Sequence, residues 1–279
     1  MASPTERPAQ VGNGQTRDAT VEALVKQAHL AVNRCEPELG LQFYQRALEC
    51  CPDDISLMGE AAEVMLQIGM TDDAKIVLER TILLAPDEDP DKYLYMAQLH
   101  EGLGALAFFE KGLALLERDF AAAEGPAGEG PKRELKQKLC TAFCSVGELF
   151  MTDLCFEGDA EGRCQAALDK SLEFDCGGPE PMHALASFRL SQNKMEDAIS
   201  FAEEAFRRLE TCEEPPGQEF RISLAKILLE CTVNSTPCSE KALQVLYGLM
   251  QEDDENVEVW YLLGVTFMRM SPAETESAR

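Results

Sequence analysis

Two stretches of the chain repeat the same pattern of small and large residues. Residues 40–52 read GLQFYQRALECCP, and residues 74–86 read AKIVLERTILLAP. In both, a small residue, a large one, another small one and a proline follow each other, and each matching pair is 34 residues apart. The matching positions are Gly40, Tyr44, Ala47 and Pro52 in the first stretch and Ala74, Leu78, Thr81 and Pro86 in the second. A period of this length indicates repeated helical hairpins.

A second pattern supplies the other helix of each hairpin. It has the spacing Trp-x2-Leu-Gly-x2-Tyr, which is typical of the first helix of a tetratricopeptide repeat (TPR). Its positions are Phe143, Val146, Gly147 and Phe150, and again Trp260, Leu263, Gly264 and Phe267. Residues three and four apart share a helix face, and small residues let the paired helix approach closely. The sequence predicts an all-α fold, a right-handed superhelical solenoid of about six and a half TPR-like hairpins.

The repeat register divides the chain into segments. We place hairpins at residues 21–54, 55–88, 89–118, 132–176, 179–212 and 218–255, and a single helix at 257–270. The solenoid therefore covers residues 20–270, with a flexible linker at about 121–131 where Ala, Gly, Glu and Pro accumulate. We expect residues 1–19 to be a disordered lead-in and residues 271–279 to be a polar tail. Trp260 and Phe267 then lack a second helix, so either the chain is shorter than its relatives or this face meets a partner.

Acidic residues outnumber basic residues twofold. The chain has 50 Asp and Glu against 25 Lys and Arg, a formal net charge of −25. Such a surface repels phosphate backbones and anionic bilayers, so a basic protein is favoured as the partner over a nucleic acid or a membrane. No stretch reaches the ~18 consecutive apolar residues of a spanning helix. The N-terminal residues lack the apolar core of a secretory signal, which predicts an intracellular protein.

The sequence lacks the common catalytic and cofactor motifs. Gly125, Gly130 and Lys132 superficially suggest a phosphate-binding loop, but Pro131 separates glycine from lysine and Glu134 follows, where such a loop needs Gly-Lys-Ser/Thr. The eleven cysteines contain no Cys-x-x-Cys pair, and only three histidines accompany them. We predict no metal, no cofactor, no enzymatic activity, and reduced cysteines that pack as small apolar residues.

A stacked array of hairpins presents an inner surface formed mainly by the first helix of each hairpin. The repeat register projects acidic side chains onto this surface, with apolar and aromatic side chains among them. The predicted partner-binding residues are Glu22, Glu63, Tyr93, Glu101, Glu148, Glu180, Glu219, Ile222, Glu258 and Tyr261. This mixture suits an extended peptide rich in Lys and Arg, because carboxylates attract its charges while apolar side chains contact their aliphatic stems. The Lys, Arg and Asn clamp that holds the C-termini of chaperones is missing from the first hairpin.

Several longer stretches resemble one particular family. Residues 147–157 read GELFMTDLCFE, and residues 93–102, 185–192 and 257–264 read YLYMAQLHEG, LASFRLSQ and VEVWYLLG. These segments, in this order, resemble the dedicated assembly chaperones of ribosomal protein four of the large subunit. The resemblance implies a non-enzymatic chaperone of the cytoplasm and nucleus. Such a chaperone captures the new ribosomal protein, shields its long basic loop and escorts it to pre-ribosomes.

Two alternatives use the same surface for other purposes. The chain could be a general TPR scaffold or adaptor for an unrelated basic protein, or an accessory subunit of an enzyme. In every case we expect a monomer that binds no nucleic acid directly. Capture of ribosomal protein four, and not of other basic proteins, distinguishes the chaperone from these alternatives.

Overall fold

The computed structural model describes residues 12–123, 129–213, 215–231 and 236–270. All regular structure within these ranges is α-helical, which confirms the predicted all-α, TPR-like fold class. The helices are α1 (Gly12–Val32), α2 (Pro37–Cys50), α3 (Ile55–Gln67), α4 (Thr71–Leu84), α5 (Asp91–Gln98), α6 (Gly102–Ala122), α7 (Glu129–Met151), α8 (Ala160–Glu173), α9 (Glu180–Ser191), α10 (Met195–Glu210), α11 (Gln218–Cys231), α12 (Thr236–Glu252) and α13 (Val257–Met270). No described helix is long and apolar enough to cross a membrane.

Helices pair as hairpins in α1–α2, α3–α4, α7–α8, α9–α10 and α11–α12, and α13 packs on α12. In α6, Gly112 lies next to Tyr93 and Leu94 of α5. The helix count matches the predicted six and a half hairpins, although α1 begins at Gly12, ahead of the expected boundary at residue 20. In the predicted linker, α6 ends at Ala122 and α7 begins at Glu129. Residues 124–128 of that linker, residues 1–11 of the predicted lead-in and the predicted tail lie outside the described residues.

Local sequence explains where the helices of the first hairpins begin and end. Asp54 caps α3, since its carboxylate accepts a hydrogen bond of 3.2 Å from the amide of Leu57. Pro37 stands at the first position of α2, where the missing amide hydrogen costs nothing. Gly69 lies between α3 and α4 with φ of +78°, a conformation that side chains disfavour.

The chain forms two compact units, residues 1–115 and 116–279, and α6 runs across this boundary. The core of the first unit contains the repeat positions from which the fold was predicted. Tyr44, Ala47, Ala74 and Leu78 are buried there, and Thr81 is buried with its hydroxyl donating to the carbonyl of Val77 at 2.8 Å. The 34-residue pattern therefore marks the residues through which these helices pack.

In the second unit, the two copies of the first-helix pattern have different surroundings. A Cβ added to Gly147 on α7 would lie 2.7 Å from Cδ2 of Leu168 on α8, so any larger residue would require the buried Leu168 side chain to shift. At Gly264 on α13, no atom of the described chain lies within 4 Å of such a Cβ. Trp260 and Phe267 on the same helix are 52% and 47% exposed. Val259, Leu262 and Leu263 of α13 are buried, whereas the side of the helix that carries Trp260 and Gly264 is exposed among the described residues.

Candidate functional site

A cavity of about 440 Å³ in the first unit is surrounded by carboxylates. The N-terminal part of α3, the segment between α4 and α5, and α5 itself form its walls. Its lining residues are Ile55, Ser56, Gly59, Glu60, Glu63, Glu88, Asp89, Asp91, Lys92 and Tyr95. Five of them are acidic and one is basic, so the cavity has an excess of negative charge.

A second cavity of about 290 Å³ shares Glu60 and Glu63 with the first. Its other lining residues come from α1, α2 and α3. They are His29, Val32, Asn33, Tyr44, Val64 and Gln67. Glu60 and Glu63 lie one helical turn apart on α3, which is why both side chains reach the two cavities. We call the two cavities together the acidic cavity pair.

Tyrosine hydroxyls hold the two shared glutamates. Burial raises the pKa of Tyr44, and a hydrogen bond to Glu60 adds to this effect. Burial likewise raises the pKa of Tyr95, assisted by the charge of Glu63 and a hydrogen bond to it. Both hydroxyls therefore stay protonated and donate to carboxylates. His29 Nε2 also lies 2.9 Å from Glu60 Oε2. These contacts place tyrosine hydroxyls and an imidazole ring beside the two carboxylates.

The one cation of the larger cavity is already engaged. Lys92 is buried, and its ammonium group donates to the carbonyl of Ala85. Burial lowers the pKa of Lys92, whereas the nearby charges of Asp89 and Glu88 oppose this shift. Because Lys92 supplies one positive charge against five carboxylates, it offsets only part of the negative charge around it. A cationic side chain from outside would meet a surface that remains acidic.

The predicted site residues of the first unit differ in exposure and in whether they line the acidic cavity pair. Glu63 is exposed and lies where the two acidic cavities meet. Glu22 and Glu101 are exposed but line neither cavity. For Tyr93 the surface prediction needs correction, because this side chain is only 5% exposed and its hydroxyl donates to the carbonyl of Pro86 at 2.7 Å. Tyr93 packs inside the hairpin, where its Cβ lies opposite Gly112 of α6.

The predicted residues of the second unit do not share one cavity. Glu148, Glu219 and Tyr261 are exposed, and Glu258 forms an ion pair of 2.7 Å with Lys226. Ile222 requires the same correction as Tyr93, because it is 6% exposed and belongs to the core of α11.

Among the predicted site residues of the second unit, Glu180 lines a large cavity. This cavity of about 840 Å³ is also lined by Glu134 and Glu213 and by the basic residues Arg133 and Arg208. Arg208 forms a 2.8 Å ion pair with Asp175. With three carboxylates against two guanidinium groups, this cavity has a smaller acidic excess than the larger cavity of the first unit, which has five carboxylates against one lysine.

Sequence reasoning missed most of the residues that form the acidic cavity pair. Glu60 was overlooked although it lies one turn before Glu63 on the same helix. Asp89 and Asp91 belong to the acidic run Asp-Glu-Asp-Pro-Asp at residues 87–91, which was visible in the sequence. Tyr95 lies two residues after Tyr93 and is the tyrosine that lines the cavity. The acidic run between two helices was the signal that could have located the site.

The described residues contain no group of three or more His, Cys, Asp or Glu side chains arranged to hold a metal ion. The chemistry of the acidic cavity pair is therefore that of hydrogen-bonded carboxylates beside tyrosine rings. Such a surface can attract ammonium and guanidinium groups and pack their aliphatic stems. Helical hairpins of this kind define the class of TPR-like helical-repeat proteins.

Comparison with known proteins narrows this class. No family model matches the chain. A protein of Schizosaccharomyces pombe named "Probable assembly chaperone of rpl4" is 34% identical over 255 residues, which cover 89% of this chain and 69% of that protein. A protein of the same name from Emericella nidulans is 29% identical over 265 residues, covering 86% of this chain and 63% of that protein. The chain belongs to the family of rpl4 assembly chaperones.

Solved structures agree with this assignment. The structure of an assembly chaperone of RpL4, Acl4 residues 1–338, superposes with a TM-score of 0.76 at 25% identity, covering 89% of this chain and 96% of that one. PilW, a type IV pilus biogenesis factor, gives a TM-score of 0.55 at 15% identity and covers 87% of this chain and 98% of its own. The second similarity concerns the fold alone. The chain spans less than two thirds of the Emericella relative, at 63% of its length.

Proposed function

We propose that the chain is a dedicated chaperone of ribosomal protein four of the large subunit (rpl4), and that the acidic cavity pair binds basic side chains of this client. Membership of the family supports the client. The observation that supports the site is the set of five carboxylates around one cavity whose single lysine is bound to the backbone. A ribosomal protein destined for RNA carries many Lys and Arg residues, which complement this charge.

The geometry suggests how a basic segment is held. A Lys or Arg side chain entering between Glu60 and Glu63 brings its charge close to both carboxylates, while its aliphatic stem lies along the ring of Tyr95 or Tyr44. At ~0.15 M salt, charges are screened over ~8 Å, so only carboxylates next to the client contribute appreciably.

Release follows from the same chemistry. RNA phosphates compete with the carboxylates for the same Lys and Arg side chains, and they are far more numerous at the assembly site. The chaperone itself repels RNA through its net charge of −25 and stays off the nucleic acid. On this proposal the chain acts as a monomer, accompanies its client from the cytoplasm to the nucleus, and binds rather than catalyses.

Capture from a defined mixture tests the proposal. The purified chain is immobilised and offered rpl4 together with other large-subunit ribosomal proteins of similar net charge. The expected result is enrichment of rpl4 over every other protein. Equal capture of all basic proteins would instead support the general adaptor, and no capture of rpl4 would refute the assignment of the client.

A further inference from the structure

Phe156 is the most exposed large apolar side chain of the described residues. It lies in the segment 152–159 between α7 and α8 and is 99% exposed. Isolated apolar residues on a surface are common, but a whole aromatic ring in water is unusual. Such exposure has two explanations: either contacts of the segment hold the ring in solvent, or the segment is loose.

Backbone contacts show that this segment is held in place. Leu154 is buried, and its amide donates to the carbonyl of Leu149 at 2.9 Å. The amide of Glu157 donates to Leu154 at 3.0 Å, and that of Ala160 donates to Glu157 at 3.2 Å. Phe156 therefore stands between an anchored core residue and the first residue of α8. The fold itself directs the ring into solvent.

The segment 152–159 borders a cavity of about 370 Å³ through Cys155. Cys155, the neighbour of Phe156 in the chain, lines it together with Phe150 and Phe188. The remaining lining residues are Met151, Ala160, Glu161, Cys164, Ser191, Gln192 and Lys194. Two aromatic rings and a methionine make part of the wall apolar, so the cavity can receive a bulky apolar side chain.

The charge around the ring indicates the partner's sign. Asp153, Glu157, Asp159 and Glu161 are exposed within nine residues of the chain. The basic residues nearby are Lys194 at the rim of the cavity, Arg163, whose guanidinium lies 4.5 Å from the ring centroid of Phe150, and Arg189, which donates to Gln192 of the cavity wall at 2.7 Å. These cations flank the segment, whereas the segment 152–159 itself carries Asp153, Glu157 and Asp159 and no basic residue. An acidic polypeptide would be repelled here and a basic one attracted.

We propose that the segment 152–159 is a second docking surface, in which Phe156 anchors a basic stretch of the client that carries a bulky apolar residue. That residue enters the cavity beside Cys155 while the ring of Phe156 packs on the client. This inference rests on the proposed function, since it takes the client to be rpl4. It assigns to the second unit a contact that is separate from the acidic cavity pair of the first unit.

The test compares single variants in binding to purified full-length rpl4, with association and dissociation rates measured separately. Phe156→Ala should raise the Kd at least about tenfold, mainly through faster dissociation, because the complex loses an aromatic anchor that the client covers. Phe156→Trp keeps a large ring and should stay within about threefold of the unchanged chain. Leu83→Ala is the matched control, because Leu83 is 83% exposed on α4 and its loss should leave the Kd unchanged. Glu157→Lys should slow association.

The results distinguish failure of the docking surface from failure of the proposed function. Binding of Phe156→Ala with the original Kd would overturn the docking surface and leave the proposed function intact. An equal loss of affinity in the Leu83→Ala control would overturn it too, since the effect would then not belong to Phe156. Absence of rpl4 binding by the unchanged chain would instead refute the proposed function, and this inference with it.

Discussion

The acidic cavity pair makes a quantitative prediction for the double variant Glu60→Gln and Glu63→Gln. Glutamine has the same shape and still accepts hydrogen bonds from Tyr44 and Tyr95, so only the charge is removed. The side chain of Glu60 is 35% exposed, which places its charge between a buried and a surface ion pair. Solvent-exposed pairs contribute about 0.2–1 kcal/mol each. We therefore expect a loss of about 0.5–2 kcal/mol, which is roughly a 2- to 30-fold higher Kd.

The assay is calorimetric titration of rpl4 at several salt concentrations between about 0.05 and 0.3 M, where screening changes most. The double variant should have a higher Kd at low salt and a shallower dependence of log Kd on log salt. The matched control is Glu38→Gln with Glu79→Gln, which removes the same charge from exposed positions on α2 and α4. The control should retain nearly the original Kd and slope.

Equal effects of the two double variants would contradict the assignment of the client contact to the acidic cavity pair. In that case net charge alone would attract the client, and the cavity geometry would contribute nothing. Thermal unfolding of both variants separates binding from folding, because a variant with an unchanged Tm cannot lose affinity by unfolding.

Three further predictions concern the fold. Burial lowers the pKa of His183 to about 4. Below about pH 6.5 the histidine of the unfolded chain therefore binds a proton, whereas the native histidine does not. The contribution of His183 to the free energy of unfolding is complete above that pH, and about 3 kcal/mol of it should be lost as the pH falls toward 4. Urea unfolding of His183→Gln, which lacks this loss, provides the comparison. Gly147→Ala should destabilise the chain by about 1–3 kcal/mol, whereas Gly264→Ala should stabilise it by about 0.5–1 kcal/mol; the opposite order of their Tm values would contradict the packing described. Exposed Cys155 should react with a thiol reagent at once, but buried Cys164, with its pKa raised by burial to about 11, should react only on unfolding; mass spectrometry of labelled peptides distinguishes the two.

The 34-residue period of the sequence was sufficient to predict the helical hairpins. Small residues such as Ala47 and Ala74 recur because two helices must approach closely at these points, so spacing alone reveals the packing. The predicted register begins at residue 20, whereas α1 begins at Gly12, because α1 as a whole lacks the strong apolar stripe on which the register depends.

The site was harder to predict because exposure depends on tertiary contacts. Tyr93 and Tyr95 differ by two positions, yet one is buried against α6 and the other lines the acidic cavity. A shift of this size turns a side chain by about half a helical turn, so a small error in register exchanges core and surface. Glu63 is exposed because a carboxylate on that helix has no buried alternative, and its role in binding stays a prediction. The contribution of Asp89 and Asp91 follows from how the loop folds over α3, which the repeat pattern does not describe.

Trp260 gives the molecule a built-in optical reporter. It is the only tryptophan of the chain, it is about half in water, and its indole nitrogen donates to the carbonyl of Asp254 at 2.7 Å. Its emission therefore reports on the surroundings of α13 alone, without labels. Anything that covers that helix, whether client, second copy or additional polypeptide, should shift the spectrum to shorter wavelength and protect the indole from quenchers.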